Sequence, residues 1–333
     1  AEATAGSVLP VPANQLRKRV YTGDGKCRYG MLPIDWTEPQ PRAEPYHASA
    51  ELRSAVNLAL YLRRPLLLEG EPGTGKTRLA RAVAYELGYP LYEVHVGSTS
   101  RARDLLYTYD ALGRLYDIQE AQHGAGDDAA ERPDLARERY VSPGQLGKAI
   151  QSAAQGVPSV VLIDEIDKAD IDFPNDLLLV LDEMRYTMPE VSSTAGHDVL
   201  PSLQAADPRI KTLDDCREYL PLVIITSNRE KELPGPFLRR CLYYFIPFPR
   251  RGDPQRNIPD EMTPILRQHF RQADLDHFRA AIDRFWDLRE EPRISWRKKP
   301  GTSELIDWLK ALCHARDRGW PEAAAALASS VGW

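Results

Sequence analysis

From Ala48 onward, apolar residues recur at helical spacing: Leu52, Val56, Ala59, Leu60 and Leu62 mark a predicted helix that Pro65 ends. Leu66-Leu67-Leu68 follows as a short apolar run, and similar runs occupy Leu91 to Val96, Val160 to Ile163, Leu222 to Thr226 and Leu242 to Phe248. Several of these runs are continuously apolar, as strands buried on both faces are. The stretches between them have room for helices. The pattern therefore predicts a doubly wound α/β domain, a five-stranded, mainly parallel sheet covered on both sides, spanning residues 46–250. Beyond Arg250 the β-branched runs disappear. Ile265, Phe270, Phe278, Ile282, Phe285, Trp286 and Leu288 give one amphipathic stretch, and Leu305, Ile306, Trp308, Leu309 and Leu312 another. Residues 251–333 are predicted to be a small all-helical domain.

Three regions fit neither core. Residues 1–45 carry Pro10, Pro12, Pro33, Pro39, Pro41 and Pro45 with Gly23, Gly25 and Gly30, a density that breaks both periodicities and predicts an extended arm. Tyr21, Tyr29 and Trp36 give that arm something to pack with, on its own domain or on a neighbouring subunit. Residues 123–139 and 191–219 are polar and irregular, and loops this long inside a domain are usually functional or mobile. No internal repeat is found.

Composition narrows the class. A length of 333 residues with 43% hydrophobic residues fits two folded domains. Lys and Arg total 43 against 48 Asp and Glu, a net charge of -5, so the general basic excess that binds nucleic acid is lacking and only a local patch could serve. Cys27, Cys216, Cys241 and Cys313 lie far apart with no C-x-x-C pair, the pattern of neither a disulfide framework nor a local zinc site. The seven histidines show no metal-like spacing. No apolar run approaches the roughly 20 residues that span a bilayer, and the first twenty residues hold no signal-peptide core. The expectation is a soluble, cytoplasmic protein with no membrane association.

The chemistry begins at Gly70-Glu71-Pro72-Gly73-Thr74-Gly75-Lys76-Thr77, a complete G-x-x-x-x-G-K-T between the strand Leu66 to Leu68 and a helix through Leu79, Val83 and Leu87; these eight residues, Arg78 and Asp164 are the candidate nucleotide-binding set. The glycines let backbone N–H groups converge on phosphate oxygens at a helix N-terminus, Lys76 supplies charge to the outer phosphates, and Thr77 is a magnesium ligand. Val160 to Ile163 delivers Asp164 and Glu165 at a strand end. Asp164 is the expected partner of Mg2+, and Glu165 the base that orients and deprotonates the attacking water. An intact Glu165 favours hydrolysis over nucleotide sensing. Asn228, after the strand Leu222 to Thr226, is placed to hold the same water or the γ-phosphate. Arg239 and Arg240 precede the fifth strand, and only arginine has the planar fork suited to a transferring phosphoryl group. The acids between Asp167 and Asp176 are read as caps and salt bridges.

With these residues in hand, the chain resembles the AAA+ ATPases, and within them the MoxR branch, over about residues 46–315. Its Walker A is GEPGTGKT (70–77), its Walker B VVLIDEID (160–167), its sensor 1 TSN (226–228) and its arginine-finger region FLRRC (237–241). The longer blocks RDLLYTYDALGRL (103–115), RYVSPGQLGKAI (139–150) and DKADIDFPNDLLLVLDEM (167–184) are similar to MoxR-like proteins beyond the nucleotide motifs. The resemblance implies an αβα P-loop domain with a helical lid and a homo-oligomeric ring, usually a hexamer. ATP and Mg2+ would lie between subunits, with Arg240 the favoured finger and Arg239 its alternative. The irregular segments at about 97–145 and 186–220 would then be the helix-2 and pre-sensor-1 insertions. Where many relatives carry a sensor-2 arginine, this sequence has Ser303 or Glu304, with Lys298 and Lys299 as candidate substitutes.

The function so implied is an ATP-driven remodeller acting on a protein client, commonly a von Willebrand factor A domain protein, a metalloenzyme or a defence complex. Nothing in these 333 residues resembles a von Willebrand factor A domain, a protease or a nuclease. The alternative is a nucleic-acid motor of a restriction or defence complex, for which Arg101, Arg103, Arg250 and Arg251 are the candidate basic lining. A third reading is a nucleotide-gated scaffold with little turnover, supported only by Ser303 and opposed by the Asp164–Glu165 pair.

Overall fold

The computed structural model of the chain describes residues 12–32, 41–123, 137–190, 217–253, 255, 260–291 and 299–319. A short helix α1 (Ala13–Leu16) precedes α2 (Ala50–Leu62), whose N-terminus is capped by Ser49 Oγ accepting from the Leu52 N–H at 3.1 Å. Its C-terminus closes on Arg63 in the left-handed region (φ 55), whose N–H returns to the Ala59 carbonyl. The predicted strands are β1 (Leu66–Glu69), β2 (Leu91–His95), β5 (Val160–Asp164), β6 (Leu222–Ser227) and β7 (Leu242–Phe245). They form one sheet in the order β2-β5-β6-β1-β7, and every pairing in it is parallel. β5 and β6 are buried along their whole length, as continuous apolar runs at the centre of a parallel sheet require.

Alternate residues of these strands feed two cores. Leu66, Leu68, Val160, Leu162 and Ile224 face α2 and α3 (Lys76–Leu87), while Leu67, Val161, Ile163, Val223 and Ile225 face Leu146 of α5 (Gln145–Ala154) and Phe173 of α6 (Asp172–Glu183). The short α7 (Gly235–Arg240) lies on this second face, anchored by the buried Phe237.

Two regions read as irregular are more ordered than their sequences suggest. Between β2 and α5 lie a two-stranded antiparallel ribbon, β3 (Tyr107–Tyr109) with β4 (Val141–Pro143), and the helix α4 (Ala111–His123). Strands of three residues are too short to leave a period-2 signature, so pattern reading passes over them. Glu190 locks this region to the segment after α6: it accepts from Tyr107 Oη at 2.8 Å and Arg103 Nη1 at 2.9 Å. Residues 124–136 and 191–216, which hold much of the two expected insertions, lie outside the described residues.

Over residues 12–32 the arm packs on its own chain. Leu16, Tyr21 and Leu32 join the core beneath α2 and α3. The fully buried carboxylate of Glu86 accepts from the Thr22 and Gly23 N–H groups and from Thr22 Oγ1. Arg19 lies between the rings of Tyr29 and Tyr89 and donates to the Leu87 carbonyl. Trp36 lies outside the described residues.

The C-terminal part is helical. The first predicted amphipathic stretch is three helices, α8 (Met262–Leu266), α9 (Gln272–His277) and α10 (Arg279–Glu290), and the second is α11 (Thr302–Asp317). They share a core of Met262, Leu266, Leu275, Phe285, Trp286, Leu305 and Leu309. No helix among the described residues is long and apolar enough to cross a membrane.

Candidate functional site

In a parallel sheet all strands end on the same side, so the loops after β1, β5 and β6 converge. They border one cavity of about 1080 Å³, together with Tyr46 and His47 before α2 and with Ile265, His269 and Thr302 of the helical part. The loop after β1 is Gly70 to Gly75. Gly73 (φ 80) and Gly75 (φ 89) adopt left-handed backbone that side-chain-bearing residues avoid, and a Cβ on Gly75 would sit 3.1 Å from the Tyr46 ring. Gly75 is also the N-cap of α3, so the loop delivers the first N–H groups of that helix to the cavity.

Lys76 is buried and donates from Nζ to the Gly70 and Glu71 carbonyls at 2.8 and 2.9 Å. Burial pulls its pKa below the ordinary lysine value, opposed by Asp167, Asp164, Glu165 and Glu71 nearby. Anionic phosphate would satisfy a cation held this way better than two carbonyls do. Thr74 Oγ1 donates to the Glu71 carbonyl, which tightens the loop, and the next residue beyond Thr77, Arg78, pairs with Glu44 at 3.4 Å.

Thr77 and Asp164 meet as the sequence predicts: Thr77 Oγ1 donates to Asp164 Oδ1 at 2.9 Å. A hydroxyl and a carboxylate side by side at the phosphate loop are the hard oxygen donors that magnesium takes when it shares its shell with phosphate and water. Among the described residues no cluster of three or more His, Cys, Asp or Glu that could hold a metal ion is found. His95, at the end of β2, brings Nδ1 within 3.4 Å of Asp164 Oδ2, a contact its spacing did not announce.

Glu165 follows Asp164 in the left-handed region (φ 60, ψ 48). This turn separates the two acids, so that Asp164 lies toward Thr77 while Glu165 is free to reach elsewhere. Its Oε1 is 3.5 Å from Asn228 Nδ2 and its Oε2 accepts from Lys168 Nζ at 2.6 Å, a pairing that raises the lysine pKa. Asp167, read as one more capping acid, is buried and accepts from the N–H groups of Asn228 (3.1 Å) and Glu230 (2.8 Å) through Oδ2. It thereby fixes the loop that carries Asn228.

Arg239 and Arg240 do not reach this cavity in their own chain. Both are exposed at the end of α7; Arg240 Nε pairs with Asp182 Oδ2 at 2.6 Å. In the helical part, Gly301 and Ser303 at the start of α11 pack over the phosphate loop, where a Cβ on Gly301 would lie 3.1 Å from the Pro72 carbonyl. Lys298 lies outside the described residues, and Lys299 is exposed. Arg289 of α10 is the residue that sequence reading missed: it is buried, pairs with Glu71, donates to the Pro300 carbonyl at 2.5 Å and stacks 3.4 Å from the Phe248 ring centroid. Nothing in the 3.6-residue pattern separates it from an ordinary polar-face arginine.

Of the four arginines proposed to line a nucleic-acid path, three are committed to carboxylates. Arg103 pairs with Glu190, Arg250 with Glu261, and Arg251 with Asp283 and Asp287.

Comparison with known proteins identifies a family. Residues 66–249 match the family described as AAA, ATPase family associated with various cellular activities. The chain is 34% identical to a Lon protease of Mycoplasmopsis agalactiae over 53% of its own length and 14% of that protein. It is 38% identical to the ATP-dependent zinc metalloprotease FtsH of Lactiplantibacillus plantarum, over 24% of its length and 12% of the relative. It is also 26% identical to midasin of Giardia intestinalis over 60% of its length and 3% of the relative. The chain thus spans only a small part of each of these proteins. The family match covers more than half of its 333 residues and runs from β1 through β7, across all the strand ends that build the cavity. By that match and this geometry, the chain belongs to the AAA family of ATPases.

Proposed function

We propose that this chain is a ring-forming ATPase of the MoxR type, most simply a hexamer, that couples ATP hydrolysis to the remodelling of a protein client. The observation that carries the reading is the meeting of Lys76, Thr77, Asp164, Glu165 and Asn228 in one cavity at the ends of adjacent parallel strands. In this reading Gly70 to Thr77 bind the ATP phosphates, with Lys76 the buried cation among them. Thr77 and Asp164 would hold Mg2+, which supplies charge neutralisation across the outer phosphates. Glu165 accepts the proton of the attacking water, and Asn228, with Nδ2 3.5 Å from Glu165 Oε1, helps to hold that water. Arg240, turned away from its own cavity, serves the pocket of the next subunit, with Arg239 beside it.

The division into an arm (1–45), a nucleotide domain (46–250) and a lid (251–333) belongs to the same proposal. So do a cytoplasmic site of action, read from the four dispersed cysteines, and a von Willebrand factor A domain protein as client, which rests on the resemblance of residues 103–115, 139–150 and 167–184 to MoxR-like proteins. The acidic net charge and the carboxylate partners of Arg103, Arg250 and Arg251 favour a protein client over nucleic acid. Steady-state ATP turnover across a range of protein concentrations, with and without duplex and single-stranded DNA, tests the reading. Specific activity that rises with protein concentration and ignores DNA is expected. Activity that is independent of concentration, or that DNA stimulates, would overturn it.

A further inference from the structure

The guanidinium of Arg64 is spent on the end of a helix. It follows the left-handed Arg63 that closes α2, and its N–H returns to the Ala59 carbonyl at 3.3 Å, so its backbone direction is fixed before Pro65 and β1 begin. From there Nε donates to the Arg240 carbonyl at 3.1 Å, and Nη2 to the Arg239 carbonyl at 2.5 Å and the Cys241 carbonyl at 3.4 Å. The Arg239 and Arg240 carbonyls are the last of α7 and Cys241 is its C-cap; no further turn of helix can satisfy them, and a cation there is also favoured by the helix dipole. α7 is only six residues long and cannot hold its own end rigid. The neighbouring backbone is tied in the same way: Leu242 N–H donates to the Pro65 carbonyl at 2.8 Å, and β1 pairs with β7 from Leu66 opposite Leu242. Arg63 points elsewhere, donating to the Glu218 carbonyl.

We infer that Arg64 is the positioning residue of the Arg239–Arg240 pair, clamping the end of α7 so that a finger is presented at a fixed height to the neighbouring subunit. The inference rests on the reading of that pair as acting in trans. Arg64 touches no nucleotide-binding residue, and its clamp joins the start of the strand that leads into a subunit's own phosphate loop to the helix that serves the next one. Arginine is required because one fork reaches three carbonyls, which an ammonium cannot do in this planar arrangement.

Subunit mixing tests this, with Arg64→Ala, Arg64→Lys and Arg240→Ala each titrated with Lys76→Ala. Alone, Arg64→Ala is expected to bind ATP within about twofold of wild type and to lose about tenfold or more in turnover, less than the full loss of a finger. Mixed with Lys76→Ala subunits, which carry an intact clamp and finger but no working pocket, both Arg64→Ala and Arg240→Ala should regain turnover. Recovery of Arg240→Ala without recovery of Arg64→Ala would leave the finger reading standing and overturn the clamp. Unchanged turnover in Arg64→Ala would also overturn it. Recovery of neither would overturn the trans reading itself, and the clamp with it. If Arg64→Ala does not assemble, Arg64→Lys, which keeps the charge and loses the fork, carries the same comparison.

Discussion

Thr226 ties the two acids of the site together: its Oγ1 donates to Asp164 Oδ1 at 2.6 Å and accepts the Glu165 N–H at 2.9 Å. Thr226 is almost fully buried on β6, and the two acids end β5 beside it, so one hydroxyl fixes both the carboxylate that faces Thr77 and the turn that sends Glu165 the other way. Thr226→Val keeps the shape and removes both bonds, leaving Asp164 Oδ1 with Thr77 as its remaining donor and the part-buried Glu165 N–H without this acceptor. The expected cost is about 1–3 kcal/mol of stability. Turnover is expected to fall further than ATP affinity, because Lys76 and the loop glycines are untouched. Denaturant unfolding with parallel kcat and Kd measurements checks this, and an equal loss of both constants would count against a role confined to the acids.

Arg289 and Glu71 join the helical part to the phosphate loop through a partly buried ion pair. Arg289→Ala removes that pair, the bond to Pro300 and the stacking on Phe248, and is expected to cost about 3 kcal/mol. Glu71→Gln keeps the stacking and the Pro300 bond, so its cost should be smaller. A double-mutant cycle read by unfolding is expected to give a coupling of about 1 kcal/mol or more. Additive effects would show that the two side chains do not act as a unit.

The sheet was legible because its central strands are buried on both faces and write uninterrupted apolar runs, Val160 to Ile163 and Leu222 to Ile225 the clearest cases, whereas the edge strands β2 and β7 are partly exposed. The phosphate loop was legible because its chemistry demands glycine, lysine and threonine at fixed offsets between a strand and a helix. Asp167, Arg289 and Arg64 were not, since each makes contacts far along the chain, and Lys168 meets Glu165 only through the turn after β5; charged residues on helices and turns look alike in a pattern. The three-residue strands β3 and β4 were hidden for a different reason: they are held by packing of Tyr107 against Tyr186 and by Glu190, not by a local period. The two-way choice left for the arm was resolved over residues 12–32 by Glu86, a helical glutamate whose burial no local pattern predicts.

The most direct test of the site is the Glu165→Gln variant, measured for ATP binding at equilibrium and for turnover on the same preparation. The amide keeps the shape of Glu165 and its place beside Asn228 but can no longer accept the water's proton. ATP affinity is expected to stay within about twofold of wild type, while turnover drops by the roughly 10²–10⁴-fold that general-base catalysis contributes. Hydrolysis at the wild-type rate, or loss of binding in step with turnover, would contradict the account.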